Sequence, residues 1–261
     1  MSNGIDAAKK KWRAPAVAIA MAAMFAAPAA MASGAFAERF DGGRDAVHWR
    51  ISKYVNPKAW LDTRWDVDHV TPGEEGLALT LTPDDDSGSG KSFVSGEISW
   101  RPPTHYGRYE VVMRAASGEG LTSAFFTYTG ANSRDPHDEI DFEFLGRDTT
   151  RVWLNYYVDG QPKLGQHIEL GFDAAEDFHH YAFEWTPETI RWYADDRLLF
   201  EITPDGSPPE TPGRIYLSLW AGHPGLKNWL GVAAPDTKAQ TVIRCVAFSP
   251  LGDVGTSCPR R

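Results

Sequence analysis

The chain has 261 residues, 42% hydrophobic and 23% charged, with a formal net charge of −9. That balance is ordinary for a globular chain with a sizeable core, and its acidity argues against phosphate backbones or anionic membranes as partners. The two cysteines, Cys245 and Cys258, both lie near the C-terminus; they make no thiolate metal set, but could close one tail-pinning disulfide in an oxidising compartment.

In chain order, Lys9, Lys10, Lys11 and Arg13 precede an Ala-rich apolar run from Ala14 to Ala30, and Ala30-Met31-Ala32 then offers a small-x-small cleavage signal. This is the layout of a secretory signal peptide over residues 1–32, with Ala35-Phe36-Ala37 as a second signal that would place cleavage as late as residue 37. A single membrane anchor is the competing reading, but 17 mostly alanine residues are short and weakly apolar for a span. Cleavage removes four basic residues and one acidic one, taking the net charge from −9 to about −12. The expectation is a secreted or periplasmic monomer with no nucleic-acid partner and no membrane association once the signal is removed.

Residues 33–261 read as a single domain, a length that one all-β unit can fill. Strand-like runs separated by Gly, Pro, Asn or Asp follow one another: Leu77–Thr82, Arg108–Ala116, Thr122–Thr129, Glu139–Gly146, Arg151–Val158, His179–Thr186, Thr189–Asp195, Arg214–Ala221 and Val242–Phe248. Pro83–Gly90, "PDDDSGSG", reads as a long hairpin connection and Asp195-Asp196 as a tight hairpin turn. No stretch carries a sustained 3.6-residue apolar period, and "FDAAEDFH" allows one helical turn at most. Many short strands in one chain predict an all-β sandwich, or jelly roll, of two packed antiparallel sheets.

The chemistry concentrates in "PHDEIDFEFLG", Pro136–Gly146. Successive side chains of a strand point to opposite faces, so Glu139, Asp141 and Glu143 share one face and Ile140, Phe142 and Phe144 the other. The apolar set belongs to a core. The acidic set could be a solvated outer face, but no Lys or Arg interleaves, and neighbouring runs carry Phe126, Tyr128, Trp153, Tyr157 and Trp220. Carboxyl groups walled by rings and by one another are desolvated and repelled, which raises their pKa and keeps one protonated while another is ionised. Glycoside hydrolysis needs that asymmetry. Residues four apart on an extended strand have Cα atoms roughly 13 Å apart, whereas double displacement needs carboxyl groups about 5–5.5 Å apart and inversion about 6.5–9.5 Å. Glu139 and Glu143 must therefore lean together, and spacing alone does not choose between the two outcomes.

"DEIDFEFLG" resembles the signature of glycoside hydrolase family 16, the concanavalin-like jelly rolls that cleave β-glucans and related polymers. "SAFFTYTG", "GRDTTRVWLNYYVDG", "LGFDAAEDFHHYAFEWTPETIRWYADD", "TPGRIYLSLWAG" and "NWLG" extend the likeness over Gly96–Gly231, with a weaker echo from Phe40 onwards. They are similar to the lichenase branch and to rhizobial exopolysaccharide glycanases. The resemblance implies a retaining endo-β-glycanase with Glu139 as nucleophile, Glu143 as general acid/base and Asp141 between them tuning their protons. It implies sugar contacts from Glu97, Tyr128, Asn155, Tyr157, Trp220 and Trp229, through ring stacking and hydrogen bonds to hydroxyls; His137, just upstream of the acids, is a further candidate contact that could instead cap the strand. The implied substrate is a polysaccharide, either a β-1,3-1,4-glucan or a succinoglycan-like exopolysaccharide.

The chain departs from the lichenase pattern at His137-Asp138, where lichenases carry Trp before the acidic block. It also departs at Ser99 in place of Arg and Ala221 in place of Asn, and lacks the N-terminal cysteine pair. Those changes bear on substrate choice rather than on the hydrolytic machinery. No cofactor is expected; family members often hold a structural calcium, and the corresponding position here is Arg244, a cation, which argues against the site unless backbone carbonyls suffice, so calcium is possible but not predicted. A transglycosylase is the alternative within the enzyme class. A non-catalytic carbohydrate-binding module would need the aromatics but not all three acids.

Overall fold

The structure, a computed structural model, describes Met1 and residues 34–41, 48–130, 134–202, 208–253 and 255–259. Of the signal segment expected over residues 1–32, all but Met1 lies outside the described residues.

The described residues form nineteen strands. The first eight are β1 (Phe36–Arg39), β2 (Trp49–Ile51), β3 (Tyr54–Val55), β4 (Thr63–Trp65), β5 (Val70–Gly73), β6 (Gly76–Pro83), β7 (Phe93–Ser95) and β8 (Glu97–Trp100). The longer central ones follow as β9 (Gly107–Arg114), β10 (Leu121–Tyr128), β11 (Glu139–Leu145) and β12 (Arg151–Val158). The rest are β13 (Gln161–Pro162), β14 (Gln166–Glu169), β15 (His179–Trp185), β16 (Ile190–Ala194), β17 (Arg197–Ile202), β18 (Arg214–Ala221) and β19 (Ala239–Pro250). A four-residue helix, Lys227–Leu230, follows β18. Every strand expected from the sequence is present. In the "FDAAEDFH" segment residues 172–178 form a turn and bends without a helix, and His179 opens β15.

The strands make two packed sheets. The first has the order β17-β16-β15-β9-β19-β6-β7-β4-β3, with β1 on β19 and β5 on β6. The second has the order β13-β12-β11-β10-β18-β8-β2, with β14 on β12. Pairing is antiparallel throughout except for β4 with β7, a short parallel contact. The jelly-roll sandwich expected from strand count is therefore the fold. Asp84–Ser92 connects β6 to β7 as the anticipated hairpin loop. Asp195 and Asp196 both adopt positive φ, +44° and +65°, as a two-residue turn between right-twisted strands requires.

Period-2 alternation builds the core. Ile140, Phe142 and Phe144 of β11 and Leu217 and Leu219 of β18 face Phe183, Trp192 and Tyr181 from the first sheet, all fully buried. Each such side chain contributes about 1.5–3 kcal/mol on leaving water. Trp192 also satisfies its indole across the core, donating Nε1–H to the carbonyl of Asp141 at 3.1 Å. The midpoint of the acidic strand is thus fixed from behind.

β19 contains a bulge between Ile243 and Cys245. The extra residue, Arg244, breaks the alternation, so that Cys245 joins Val112, Phe178, Val242, Ala247 and Cys258 in a separate buried cluster. Cys245 is bonded to Cys258, as an oxidising compartment would allow, and the amide of Cys258 donates to Glu110 at 2.8 Å. Closing a loop of this size is worth about 3 kcal/mol in the chain-entropy picture. Cys258→Ser should therefore lower Tm by roughly 6–12 °C in a thermal melt. A shift below about 2 °C would show that the tail is not pinned by the bond.

Candidate active site

Register places Glu97, Tyr128, Glu139, Asp141, Glu143, Asn155, Tyr157 and Trp220 on one face of the second sheet, while His137 precedes β11 and Trp229 lies on the short helix. Directly paired residues project to the same side, so the pairings define rows across the strands. Tyr157, Glu139, Tyr128 and Arg214 form the first row. Asn155, Asp141, Phe126, Tyr216, Ser99 and Arg50 form the second. Trp153, Glu143, Ala124, Ser218 and Glu97 form the third, and Leu145, Thr122 and Trp220 the fourth.

Side-chain size along those rows shapes the surface. Ala124 and Ser218 are small and buried, so the third row is a trough running from Glu143 to Glu97, about 14 Å at the usual spacing of three strands. Phe126 and Tyr216 wall one side, stacked at 5.2 Å. On the other side Trp220 contacts Trp229 at 6.2 Å and Trp60 at 5.4 Å. A trough crossing strands between aromatic walls suits an extended chain with flat apolar faces.

The walls have local causes. Trp229 sits on the helix Lys227–Leu230, which Leu230 anchors in a cluster with Leu61, Trp65, Leu145 and Trp220. Arg147 reaches the carbonyls of Lys227, Asn228 and Trp229 at that helix's end. Trp153 is held by His167, edge-on at 4.8 Å, and by Gly165, whose φ of +77° and whose missing Cβ both make room for the indole.

The sequence reading omitted Trp60. Trp220 is only 6% exposed, and the open ring above it is Trp60, at 46%. Trp60 lies in an irregular segment, placed by the Leu61–Gly222 bridge and by the bond from His223 N to its carbonyl. Its one sequence signal was an unpatterned Trp beside turn residues. Asn155 also differs somewhat from expectation: its Oδ1 accepts from the Leu164 amide at 3.3 Å, leaving its NH2 for Tyr157 and the face.

The electrostatics separate the carboxyls. Asp141 is 3% exposed; burial first, then the charges of Glu139 and Glu143, hold its pKa well above the usual carboxylate range. It shares a hydrogen bond with Glu139, and with its raised pKa Asp141 carries the proton and donates. Glu143 is pushed up to about 8, by burial and then by the charge of Glu139. Glu97, at the far end of the trough, is buried and accepts from Ser52 Oγ at 2.5 Å. Burial pushes it up to about 7 despite that bond. The Tyr157 hydroxyl is raised by burial and then by the three acids, so it stays a donor. His137 Nε2 lies 2.5 Å from Glu139 Oε2.

A proton-bearing carboxyl, Glu143, four residues from a second carboxylate, Glu139, on one face of a strand, beside a trough for an extended sugar chain, is the apparatus of a glycoside hydrolase on a jelly roll. The comparisons agree. The sequence profile of glycosyl hydrolases family 16 matches residues 58–240, and the chain belongs to that family. It is 40% identical over 212 residues to a beta-glucanase of Bacillus subtilis (strain 168), covering 80% of this chain and 84% of that protein. It is 38% identical over 214 residues to a beta-glucanase of Bacillus licheniformis, covering 82% and 85%. A crystal structure described as a prokaryotic beta-1,3-1,4-glucanase (lichenase) from a mouse hindgut metagenome superposes with a TM-score of 0.79. It shares 36% identity, covering 84% of this chain and all of that one.

The calcium that the family implies does not fit here. The Arg244 guanidinium lies 3.5 Å over the Phe178 ring and its Nε donates to the Glu75 carbonyl at 3.3 Å. Calcium wants six to eight oxygens; a fixed cation that already occupies a carbonyl repels it. Chelator should leave Tm within about 1 °C, since no linked ion is lost. A larger, calcium-reversible fall in a thermal melt would contradict this.

Proposed function

We propose that the protein is an exported endo-β-glycanase. It hydrolyses internal β-glucosidic bonds of a β-1,3-1,4-type glucan, or of a succinoglycan-like exopolysaccharide, by retaining double displacement. The observation that carries this is the division of protons on β11: Glu143 is raised by burial and by the charge of Glu139, while Glu139 accepts bonds from its neighbours.

The steps follow from that arrangement. Glu139 attacks the anomeric carbon as Glu143 gives its proton to the departing glycosidic oxygen. The resulting ester removes the Glu139 charge, and with it one of the two causes that keep Glu143 protonated. Glu143 then becomes the base that takes a proton from water, which adds to the anomeric carbon and releases Glu139. Asp141 holds its proton against Glu139 throughout, so Asp141→Asn keeps a donor and slows turnover without abolishing it.

Export accords with the disulfide and with β1. Phe36 stacks on Trp100 with centroids 3.8 Å apart, and β1 pairs with β19 from Phe36 to Arg39. Cleavage after Ala32 leaves that strand whole, whereas cleavage after Ala37 removes half of it. The similarity to the structure described as a beta-1,3-1,4-glucanase favours mixed-linkage glucan; His137, Ser99 and Ala221 favour a different polymer. Digesting a panel of β-glucans and exopolysaccharides and sizing the products decides between them. Mid-sized oligosaccharides from one of these polymers are expected, and single glucose units or no products from any of them would contradict the reading.

A further inference from the structure

His137 is held more firmly than a residue that only brushes substrate would be. Its ring lies nearly parallel to Tyr157, centroids 5.1 Å apart at 14°, and edge-on to Tyr128 at 4.9 Å and 73°. Its carbonyl accepts from Gly160 N at 2.8 Å. The next residue, Asp138, is 5% exposed and works entirely on backbone: Oδ1 accepts from Asp159 N, and Oδ2 from Glu210 N and Thr211 N, each at 3.0 Å. Two tyrosines and an anchored backbone thus aim Nε2 at Glu139 Oε2, 2.5 Å away.

We propose that His137 is a positioning residue for the nucleophile, donating Nε2–H to Oε2 of Glu139 in both halves of the reaction. His137 holds Oε2, and the attack is assigned to Oε1. In the second half, the bond from the anomeric carbon to Oε1 breaks and its electron pair returns to the Glu139 carboxylate. Water supplies the new oxygen and gives its proton to Glu143, and His137 neither gains nor loses one. A donor already in place on Oε2 stabilises the carboxylate as charge returns to it. This assignment rests on the reading of Glu139 as nucleophile of a retaining enzyme.

The test is steady-state kinetics on a 2,4-dinitrophenyl β-gluco-oligosaccharide, whose leaving group departs without help. His137→Phe keeps a ring between the tyrosines and removes the donor. Its kcat should fall about tenfold, the effect of one hydrogen bond to a charged group. KM should fall by a similar factor, because the glycosyl-enzyme accumulates, so kcat/KM stays within about threefold of the original. His137→Gln can present an amide N–H to the same oxygen and should recover most of kcat. An unchanged kcat in the Phe variant, a fall in kcat with KM level or raised, or a Gln variant no better than Phe would each overturn the assignment. The anomer released by the unaltered enzyme, followed by NMR, separates the two failures. An α-anomer sinks the retaining reading itself. A β-anomer together with a silent His137→Phe sinks only the role of His137.

Discussion

On the proposed mechanism Glu139→Ala should lose hydrolysis of glucan by about 10⁴-fold or more, the scale on which removal of a nucleophile disables a covalent mechanism. The reason is positional. Glu139 is met by Asp141, which carries the shared proton, and by His137 at 2.5 Å, and no other carboxyl of its row can replace it, since its neighbours there are Tyr157 and Tyr128. Truncation leaves a space beneath the anomeric carbon of a size for a small anion. Azide should enter it and attack a dinitrophenyl glycoside directly, with one inversion, giving the α-glycosyl azide. Chromatography and NMR of the product check this. A β-azide from the alanine variant would move the nucleophile to another residue.

Glu143→Ala should separate substrates by leaving group. Glucan, whose glycosidic oxygen needs a proton, should slow by about 10²–10⁴-fold. Formation of the glycosyl-enzyme from a dinitrophenyl glycoside should remain near normal, and azide should then collect it as the β-azide. On the proposed mechanism the same residue sets the alkaline limb of activity. Its protonated form would be the working acid, so kcat/KM on glucan should fall as pH rises through about 8, a limb that dinitrophenyl substrates should lack. The stability sign is also fixed. A carboxyl raised in the folded state is still protonated where the unfolded chain has already ionised, so stability falls as pH rises from the ordinary glutamate range to the raised value. Glu143→Gln removes that penalty and should melt a few degrees higher near pH 7, about 2–4 °C per kcal/mol regained. A Glu143→Ala enzyme equally slow on both substrates would contradict its role as acid.

The acidic strand was legible because one run carries both messages: alternation placed the acids opposite Ile140, Phe142 and Phe144, and the fold keeps that division. What was not legible depends on contacts far apart in sequence. The Ser52–Glu97 bond joins residues 45 apart, and the Trp192–Asp141 bond joins residues 51 apart across the core. β2, β3, β4 and β5 are two to four residues long, too short for a period to declare itself; they exist because neighbouring strands supply their pairing. Trp60 belongs to no strand, so only the placing of its segment beside β18 reveals it as the open ring over Trp220. Asp138 was visible beside His137 but not its three backbone bonds, because the loops it gathers come from 159 and from 210–211. The trough itself depends on Ala124 and Ser218, residues with no chemical signature, which acquire meaning only from the register between β10 and β18.

Trapping the glycosyl-enzyme identifies the nucleophile directly. A 2-deoxy-2-fluoro β-gluco-oligosaccharide with a dinitrophenyl leaving group slows release of the glycosyl-enzyme more than its formation, and peptide mass spectrometry then locates the sugar. One sugar per protein, esterified to Glu139, is expected. A label on Glu143 would exchange the two roles, and inactivation-free turnover with release of the α-anomer would show that the carboxylates act through water instead.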